Sequence, residues 1–326
     1  MNSLTVRSLW VLCLGLLILT CVGCVIEESV TYYEPHFLPD GRIVAIKHYE
    51  KTDRGMAMSS HLLDEKNWLV IITNEPTPSE TVVNKNFGVF PFRLSPDGKY
   101  ITKPDGVYTF PKLELVNRFP VYDSTQWRDQ AKYYQLLDWS PSSDFTLLSG
   151  HNDKKWMVWD FMNDRQVYLD QRSGVPYCFI DNQTVDFIRH DLQLDESKKN
   201  VNGEYPIEFV IDLLSREEKL VDYGRFIRPH RYYAENKIIV FKTDEADGHQ
   251  YPYIYDMKTR GTEKISGAFN DCAYYEFNGN WVLMGDGGPG LSLARGIELL
   301  NISEGERYFI DADNSIEAMP ERILDK

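Results

Sequence analysis

The clearest structural signal in the sequence is the octapeptide Leu94-Ser95-Pro96-Asp97-Gly98-Lys99-Tyr100-Ile101. Proline fixes φ at the second position of a tight turn, aspartate tolerates a left-handed backbone, and glycine adopts one freely. Because apolar, β-forming residues flank this turn on both sides, the stretch predicts a β-hairpin.

The same element, an apolar strand followed by a short turn and a second apolar strand, recurs along the chain. Its six copies span residues 37–45, 94–101, 139–148, 179–185, 233–240 and 277–283. The first three copies contain a proline in the turn, and the other three are more degenerate. Such recurrence is typical of a repeat architecture.

A second element follows the first and consists of an apolar strand, a polar turn that begins at an acidic or amide residue, and another strand. It occupies residues 107–119, 158–169, 210–221, 254–265 and 299–310. Asp212, Asp256 and Asn301 mark successive turns of this element at intervals of about 45 residues, the length of one propeller repeat.

Each unit therefore contains four short strands, and the chain lacks a helical period. Four-stranded units at this spacing are typical of a β-propeller, whose sheets pack face to face around a channel. The sequence predicts an all-β fold of six four-stranded blades over residues 33–314, with seven blades or a β-sandwich as alternatives. We expect residues 28–33 to complete the last blade and close the ring by strand pairing. Residues 315–326 are predicted to be a short helix or tail outside the ring.

Two motifs can be compared with known families. Ser95-Pro96-Asp97-Gly98-Lys99-Tyr100 is similar to the hairpin repeat of TolB-like propellers, which also form the propellers of prolyl oligopeptidase-type enzymes. The dipeptide Trp159-Asp160 resembles the end of the repeat in WD-type propellers. The resemblance implies a β-propeller over nearly the whole chain, as a pattern and not as a close family match. TolB itself has an extra N-terminal domain and is soluble, so its specific partners are not implied.

The first 23 residues have the order of a secretory signal. Arg7 is their only charged side chain, an apolar run covers residues 9–19, and small residues follow. The run is too short to span a hydrocarbon core of about 30 Å comfortably, which takes about 20 apolar residues.

The end of this segment, Gly23-Cys24, resembles the lipobox of bacterial lipoproteins, although Cys21 stands where leucine is usual. The resemblance implies cleavage before Cys24 and acylation of its thiol and new amino group. Because Val25 and not aspartate follows, the enterobacterial sorting pattern implies delivery to the outer membrane. We therefore predict a signal peptide at 1–23 and a lipidated tether at 24–32. An ordinary cleaved signal or an uncleaved anchor is the alternative.

Two cysteines remain besides Cys24, namely Cys178 and Cys272. The compartment outside the inner membrane is oxidising and permits a disulfide between them. Each cysteine precedes an apolar run, which equally fits two buried thiols.

The chain is acidic, with 49 Asp and Glu against 35 Lys and Arg and a net charge of −14. This balance argues against a nucleic-acid groove, which needs a basic patch. One positive island interrupts it, and aromatic residues are interleaved with its members Arg225, Arg228, His230 and Arg231. Arginine among aromatics is the composition of interaction hot spots, so the island is a candidate partner or anion site. The alternative is a strand whose cations pair with the abundant carboxylates.

The sequence lacks the Gly-x-Ser-x-Gly elbow of a hydrolase, a phosphate-binding glycine loop and metal-ligand spacing. No catalytic, cofactor or metal residue is predicted. The leading hypothesis is a membrane-anchored, non-enzymatic propeller of the periplasm or cell surface that binds a protein or an envelope component. The alternative is an enzyme or small-ligand binder at the channel mouth, drawing on Asp138, His151, Asp181 and Asp271. A purely structural role in a multiprotein envelope machine is a third possibility.

Overall fold

A computed structural model describes residues 25–54, 60–73, 79–88, 90–120, 134–150, 155–170, 174–189, 207–221, 227–234, 237–243, 250–265, 274–285, 296–302, 304, 306–311 and 316–318. These residues form 24 β-strands in six antiparallel sheets and contain no helix, as the all-β prediction requires. Within the same ranges, no helix is long and apolar enough to cross a membrane.

The first three sheets follow one another along the chain. The first consists of Val25–Phe37 (β1), Ile43–Arg54 (β2), Ser60–Ile72 (β3) and Glu80–Asn84 (β4). The second consists of Tyr100–Lys103 (β5), Gly106–Thr109 (β6) and Leu115–Arg118 (β7), with an isolated bridge from Leu94 to Ile101 at the position of a first strand. The third consists of Gln135–Trp139 (β8), Thr146–Ser149 (β9), Trp156–Asp160 (β10) and Arg165–Asp170 (β11).

The last three sheets repeat this order. The fourth consists of Gly174–Phe179 (β12), Thr184–Arg189 (β13), Ile207–Asp212 (β14) and Glu218–Val221 (β15). The fifth consists of Ile227–Ala234 (β16), Lys237–Thr243 (β17), Gln250–Asp256 (β18) and Thr262–Lys264 (β19). The sixth consists of Tyr274–Asn278 (β20), Trp281–Gly285 (β21), Gly296–Asn301 (β22), Glu306–Asp311 (β23) and Ile316–Ala318 (β24).

All six predicted hairpins are present, and each joins the first strand position of a sheet to the second. One pair close to each turn joins Phe37 with Ile43, Leu94 with Ile101, Trp139 with Thr146, Phe179 with Val185, Tyr232 with Ile238, and Phe277 with Val282. Gly41 and Gly98 have φ of +86° and +70°, and their backbone N–H groups donate to Leu38 and Ser95. The turn chemistry expected from Pro-Asp-Gly is therefore confirmed at these two positions.

The second repeat element joins the third strand to the fourth, and its aspartates hold the turn. Asp212 Oδ1 accepts hydrogen bonds from the backbone N–H groups of Leu214 and Ser215 at 3.0 and 2.7 Å. Asp256 accepts two equivalent bonds at 2.8 and 2.9 Å. A carboxylate that accepts from the two backbone groups after it is the usual reason for aspartate at the start of a turn.

Each inner strand is buried on both faces because sheets pack on either side of it. In β2, Val44 and Ile46 belong to a core cluster shared with the second sheet, whereas Ile43 and Ala45 belong to one shared with the sixth. The alternation follows from the strand period of two residues. All four side chains are fully buried.

The order of the sheets in space follows their order in the chain and returns to its beginning. Neighbouring sheets share the clusters that contain Val107 with Trp159, Trp156 with Phe187, Ile180 with Ile238, and Ile239 with Leu300. The sixth sheet then packs on the first, where Leu299 and Ile310 share a cluster with Ile43 and Val70. The first and last sheets are thus in contact through side chains.

Two expectations about the chain ends are corrected. Residues 28–33 do not pair with the last sheet: they lie within β1 and pair with β2, for example Glu28 with Lys51. Pairing with the next strand along the chain closes only a short loop, which costs little entropy. Within the region 315–326, residues 316–318 are neither helix nor tail, because β24 pairs with β23 and covers the open edge of the sixth sheet.

Candidate functional site

The turns between first and second strands contact one another from sheet to sheet, and we call this end of the molecule the turn face. Asn278 Nδ2, at the end of β20, donates a 2.8 Å hydrogen bond to the carbonyl of Leu38 across 240 residues of sequence. Pro39 packs against Gly98 so closely that a β-carbon at Gly98 would lie 2.7 Å from Pro39 Cδ. The sixth, first and second sheets are therefore joined at this face.

The contacts continue to the third and fourth sheets. The backbone N–H of Asp97 donates to Ser143 Oγ at 3.0 Å. The backbone N–H of Ser142 in turn donates to Asn182 Oδ1 at 2.7 Å. Four consecutive interfaces thus have a turn-to-turn contact, and together these turns form a border from the sixth sheet to the fourth.

This border surrounds a cavity of about 390 Å³, which we call the mouth cavity. Its walls come from the first strands and following turns of four sheets, namely the first, second, third and sixth. Concave sites that several elements line together are the usual location of ligand and partner binding in folded proteins.

One position of the repeat supplies the ionisable groups around the mouth cavity. It is the residue that precedes the first-strand member of each hairpin pair named above. In the six sheets this position holds His36, Arg93, Asp138, Cys178, Arg231 and Glu276. His36, Arg93, Asp138 and Glu276 line the cavity.

His36 and Glu276 form a buried pair that joins the first and sixth sheets. His36 Nδ1 lies 2.6 Å from Glu276 Oε2, and the two side chains are 2% and 16% exposed. His36 Nε2 lies 2.8 Å from the carbonyl of Phe92. Since a carbonyl can only accept, Nε2 donates in this contact.

The other oxygen of the Glu276 carboxylate is also engaged. Glu276 Oε1 accepts a hydrogen bond from the backbone N–H of Phe37 at 2.9 Å. The carboxylate therefore binds both the side chain and the backbone of the first sheet. We assign the His36–Glu276 pair a structural role, because its polar atoms are occupied by one another and by the backbone.

Arg93, Asp138 and Trp139 supply the remaining polar chemistry of the cavity. The backbone of Arg93 is fixed by Thr102, whose Oγ1 accepts from the Arg93 N–H at 2.9 Å. Asp138 Oδ2 accepts from the backbone N–H of Phe179 in the fourth sheet at 3.0 Å. Trp139 is 5% exposed, and its indole N–H has no hydrogen-bond partner among the described residues. The lining of the cavity therefore includes a cation and a carboxylate, and Trp139 adds an aromatic wall.

The carboxylates on the turn face are kept ionised. The side chain of Arg42 hydrogen-bonds to Asp40 and lowers the pKa of that carboxyl. Burial raises the pKa of Asp97, but hydrogen bonds from Ser95 and Lys99 outweigh it, so the pKa of Asp97 is also lowered. Both carboxylates are therefore ionised at neutral pH, and each is paired with a cation of its own turn, Asp40 with Arg42 and Asp97 with Lys99.

The four channel-mouth residues predicted from the sequence are not brought together by the described structure. Asp138 lines the mouth cavity. Asp181 is exposed and accepts hydrogen bonds from the backbone of Gln183 at 2.7 Å and from the Thr184 hydroxyl, which is a turn-forming role. His151 and Asp271 lie outside the described residues. Among the residues that the structure does describe, no three His, Cys, Asp or Glu side chains are grouped to hold a metal ion.

The positive island is only partly described. Arg228, His230 and Arg231 lie on β16, the first strand of the fifth sheet, and Arg225 lies outside the described ranges. Arg231 occupies the same register position as His36 and Glu276. The island stays a prediction, now placed on a strand equivalent to those that line the mouth cavity.

The cysteine predictions are also partly described. Cys178 is a buried thiol on β12, while Cys24 and Cys272 lie outside the described ranges.

Sequence reasoning missed His36, Arg93 and Glu276. A signal was available, because His36, Arg93 and Asp138 each lie three residues before the proline of the turn. A position that is ionisable in three consecutive copies of an otherwise apolar strand marks a common environment. Glu276 has no such proline after it, and only the strand register reveals its equivalence.

No protein-family model matches the chain, and no curated protein sequence matches it at a significant level. Similar solved structures include the β-propeller domain of the Trilobed protease from Pyrococcus furiosus, at 13% identity and a TM-score of 0.47 over 90% of this chain and 86% of that one. An oligogalacturonate lyase in complex with manganese is 12% identical, with a TM-score of 0.46 over 88% and 78% of the two chains.

TolB from Acinetobacter baumannii is also similar, at 12% identity and a TM-score of 0.42 over 89% of this chain and 69% of that one. TolB and other β-propeller structures are thus among the proteins that this chain resembles, as its turn motif indicates. All these TM-scores are below 0.5, and no function is transferred from them.

Proposed function

We propose that this chain is a lipid-anchored, six-bladed β-propeller of the bacterial cell envelope that binds a protein or an envelope component at its turn face. The observation that carries the proposal is the mouth cavity, to which four separate sheets contribute a first strand and a turn. Loops and turns fixed on a rigid scaffold are the usual recognition surface of repeat folds.

The blade number rests on the packing of the sheets. Six sheets share six core clusters in cyclic order, and the last cluster joins the sixth sheet to the first. A β-sandwich would give each sheet one packed face, whereas these sheets pack on two neighbours. Each sheet is built from consecutive strands, so closure would rest on side-chain packing and not on strand exchange.

The anchor rests on the sequence and on the position of the first strand. Gly23-Cys24 is the proposed processing and acylation site, and β1 begins at the next residue. Val25, at the start of β1, is at the opposite end of that strand from Phe37, which borders the turn face. The anchor and the turn face are therefore at opposite ends of the first sheet, and the mouth cavity would face away from the membrane. We place the protein in the outer membrane, since Val25 follows the acylated residue.

The turn face would recognise its partner through charged groups of both signs. Arg93 and Asp138 line the cavity together with Trp139, and ionised aspartates border it. A segment of a partner protein that carries both a basic and an acidic side chain suits Asp138 and Arg93 in the cavity and the paired charges of the border. The positive island that includes Arg228 and Arg231 would contribute from the fifth sheet.

Photocrosslinking at the two ends of one strand tests the proposed face. Lys99 directly precedes β5 on the turn face, Pro104 directly follows it at the opposite end, and both are exposed. We expect p-benzoylphenylalanine at position 99 to give a discrete adduct in intact envelopes, and the same residue at position 104 to give none. Equal adducts at both positions, or none at 99, would contradict binding at the turn face.

The anchor is tested separately by metabolic labelling with a palmitate analogue. The wild-type chain should be labelled, and Cys24→Ala should lose the label because it lacks the acylated thiol. Labelling that persists in Cys24→Ala would remove Cys24 from the proposal.

A small-ligand binder or enzyme at the mouth cavity is the second candidate. The size of the cavity favours it, because about 390 Å³ lies in the range of small-molecule pockets. Native mass spectrometry of the purified protein would then show a stoichiometric small-molecule adduct that Arg93→Ala and Asp138→Asn reduce. A bare protein mass together with an adduct at position 99 favours the binding module.

A further inference from the structure

The first three strands are much longer than the others. β1, β2 and β3 contain 13, 12 and 13 residues, whereas the other described strands contain 3 to 8. β4 pairs only with residues 69–72 of β3, so the rest of β3 has β2 as its sole partner strand. At about 3.3 Å per residue, the surplus of about six residues projects about 20 Å beyond the blade. We call residues 25–30, 49–54 and 60–66 the extension.

The tip of the extension presents large apolar side chains to solvent. Ile26, Leu62 and Leu63 are 57%, 55% and 52% exposed. Ile26 is in the row of paired residues that contains Asp53, and Leu62 is in the next row, opposite Thr52. Leu63 lies at the bulge where the register shifts between Lys51 and Thr52. Because side chains in adjacent rows point to opposite faces of a sheet, Ile26 lies on one face and Leu62 on the other. Single exposed apolar side chains are normal, but these three surround one end of the extension, and we call them the patch.

The patch lies next to the proposed anchor. Ile26 is two residues after Cys24, and two residues of extended chain span at most about 7 Å. The segment that connects β2 to β3 reads Gly55-Met56-Ala57-Met58-Ser59 and contains no charged side chain. A lipid on Cys24 would therefore hold the tip at the surface of the bilayer.

The charges of the extension are partly neutralised within it. Lys51 Nζ lies 2.6 Å from Glu28 Oε1, and Lys66 Nζ lies 2.7 Å from Asp64 Oδ2. Glu27, Asp53 and Glu65 add further carboxylates to the same strands. An anionic membrane would repel this set, whereas a zwitterionic surface accepts apolar side chains without that cost.

We propose that the tip of the extension is a membrane-contact site, in which Ile26, Leu62 and Leu63 enter the interfacial zone of a zwitterionic bilayer. The site would fix the orientation of the protein, with the turn face directed away from the lipid. This inference rests on the proposed lipid anchor for its location, but apolar contact of the tip with lipid can be measured without acylation.

The first experiment measures depth in the membrane. The acylated chain, reconstituted in phosphatidylcholine vesicles, carries an NBD fluorophore on a cysteine at Leu63→Cys or, as a control, at Leu214→Cys. Leu214 is a leucine in a turn at the opposite end and is more exposed than Leu63, at 74% against 52%. We expect brominated phosphatidylcholine to quench the fluorophore at 63 at least twofold more than at 214. Equal quenching at the two positions would overturn the proposal.

The second experiment separates this proposal from the anchor. The Cys24→Ser chain should co-sediment with phosphatidylcholine vesicles, and the triple variant Ile26→Ser, Leu62→Ser, Leu63→Ser should reduce the partition coefficient at least about tenfold. Phosphatidylserine vesicles should bind more weakly. Unchanged partition of the triple variant, or a lipid-independent dimer that this variant abolishes, would assign the patch to another occupant. A wild-type chain that takes up no palmitate label would refute the anchor. The vesicle result would still test the membrane-contact site.

Discussion

The three long strands of the first sheet run through two different surroundings. In the inner region, residues 43–46 and 69–72 lie between the second and sixth sheets, and Ile43, Val44 and Leu69 are fully buried. In the extension, the same strands continue with the same antiparallel pairing, interrupted by one bulge, and their described side chains are exposed or half-buried.

The difference shows that strand pairing and burial are set by different causes. Pairing depends on the backbone and continues wherever two strands are in register. Burial depends on a neighbouring sheet, and the composition changes where the neighbours end, from Ile43-Val44-Ala45-Ile46 to Tyr49-Glu50-Lys51-Thr52. Three residues of the extension are apolar although they have no neighbouring sheet, namely Ile26, Leu62 and Leu63. Their exposure therefore needs a separate explanation.

The sharpest test of the comparison uses two leucines on β3. Leu69 is fully buried in the inner region, and Leu62 is exposed in the extension. We expect Leu69→Ala to lower the free energy of unfolding by about 2–5 kcal/mol, because it removes buried methyl groups and leaves a cavity. Leu62→Ala should change it by less than about 0.5 kcal/mol. Urea titration measures both changes. Similar decreases in the free energy of unfolding would mean that Leu62 is packed against another part of the protein.

A smaller effect is expected at the ion pair that joins the first and sixth sheets. Glu276→Gln keeps the shape of the side chain but removes the charge opposite His36. Because the pair is largely buried, we expect a loss of about 1.5–3 kcal/mol, the range for hydrogen bonds to charged groups. The free energy of unfolding from urea titration checks this value. If Glu276→Gln has the free energy of unfolding of the wild-type protein, this contact does not stabilise the packing of the first sheet on the last.

The turn face supplies a third test. Gly98→Ala places a β-carbon 2.7 Å from Pro39 Cδ on a residue with φ of +70°, so both a clash and left-handed strain oppose it. The strain alone costs about 1–2 kcal/mol. Gly41→Ala is the matched control, since φ there is +86° but nothing lies within 4 Å of the added carbon. The midpoint of thermal unfolding should be lower for Gly98→Ala than for Gly41→Ala. A lower midpoint for Gly41→Ala would mean that the turns do not contact each other.

The smallest effect is expected in the extension at Glu28. The hydrogen bond and charge of Lys51 lower the pKa of the Glu28 carboxyl. A lowered pKa in the folded state stabilises the fold above the ordinary pKa and ceases to do so as pH falls through the folded value. Because the pair is fully exposed, solvent and salt screen it, and Glu28→Gln should leave the thermal midpoint unchanged at pH 7 and at pH 4. A midpoint that falls at pH 7 but not at pH 4 would show that the extension depends on this pair.

The repeated hairpins could be predicted from the sequence because their signals are local. Pro39-Asp40-Gly41 and Pro96-Asp97-Gly98 restrict φ within four residues, and the turn hydrogen bonds form there as expected. The aspartates of the second element are likewise explained by contacts two or three residues away.

The candidate site could be predicted only in part, because its members are far apart in sequence. The equivalent positions of the repeat predict both Asp138 and Asp181 at the channel mouth. Asp138 lines the cavity, whereas Asp181 accepts a hydrogen bond within its own turn. His36 and Glu276 meet across 240 residues, and only the packing of the first sheet on the sixth brings them within 2.6 Å. Residues 28–33 differ from the prediction for another reason, because they pair with the next strand along the chain and not with the last sheet.

The sequence by itself determined the β-strands, their turns and their recurrence, because backbone restriction and alternation of apolar residues act between near neighbours. Only the tertiary structure decided which residues share the mouth cavity and where the long strands lose their neighbours. Those outcomes depend on which sheet faces which, and the apolar side chains that drive this packing attract one another without regard to distance along the chain.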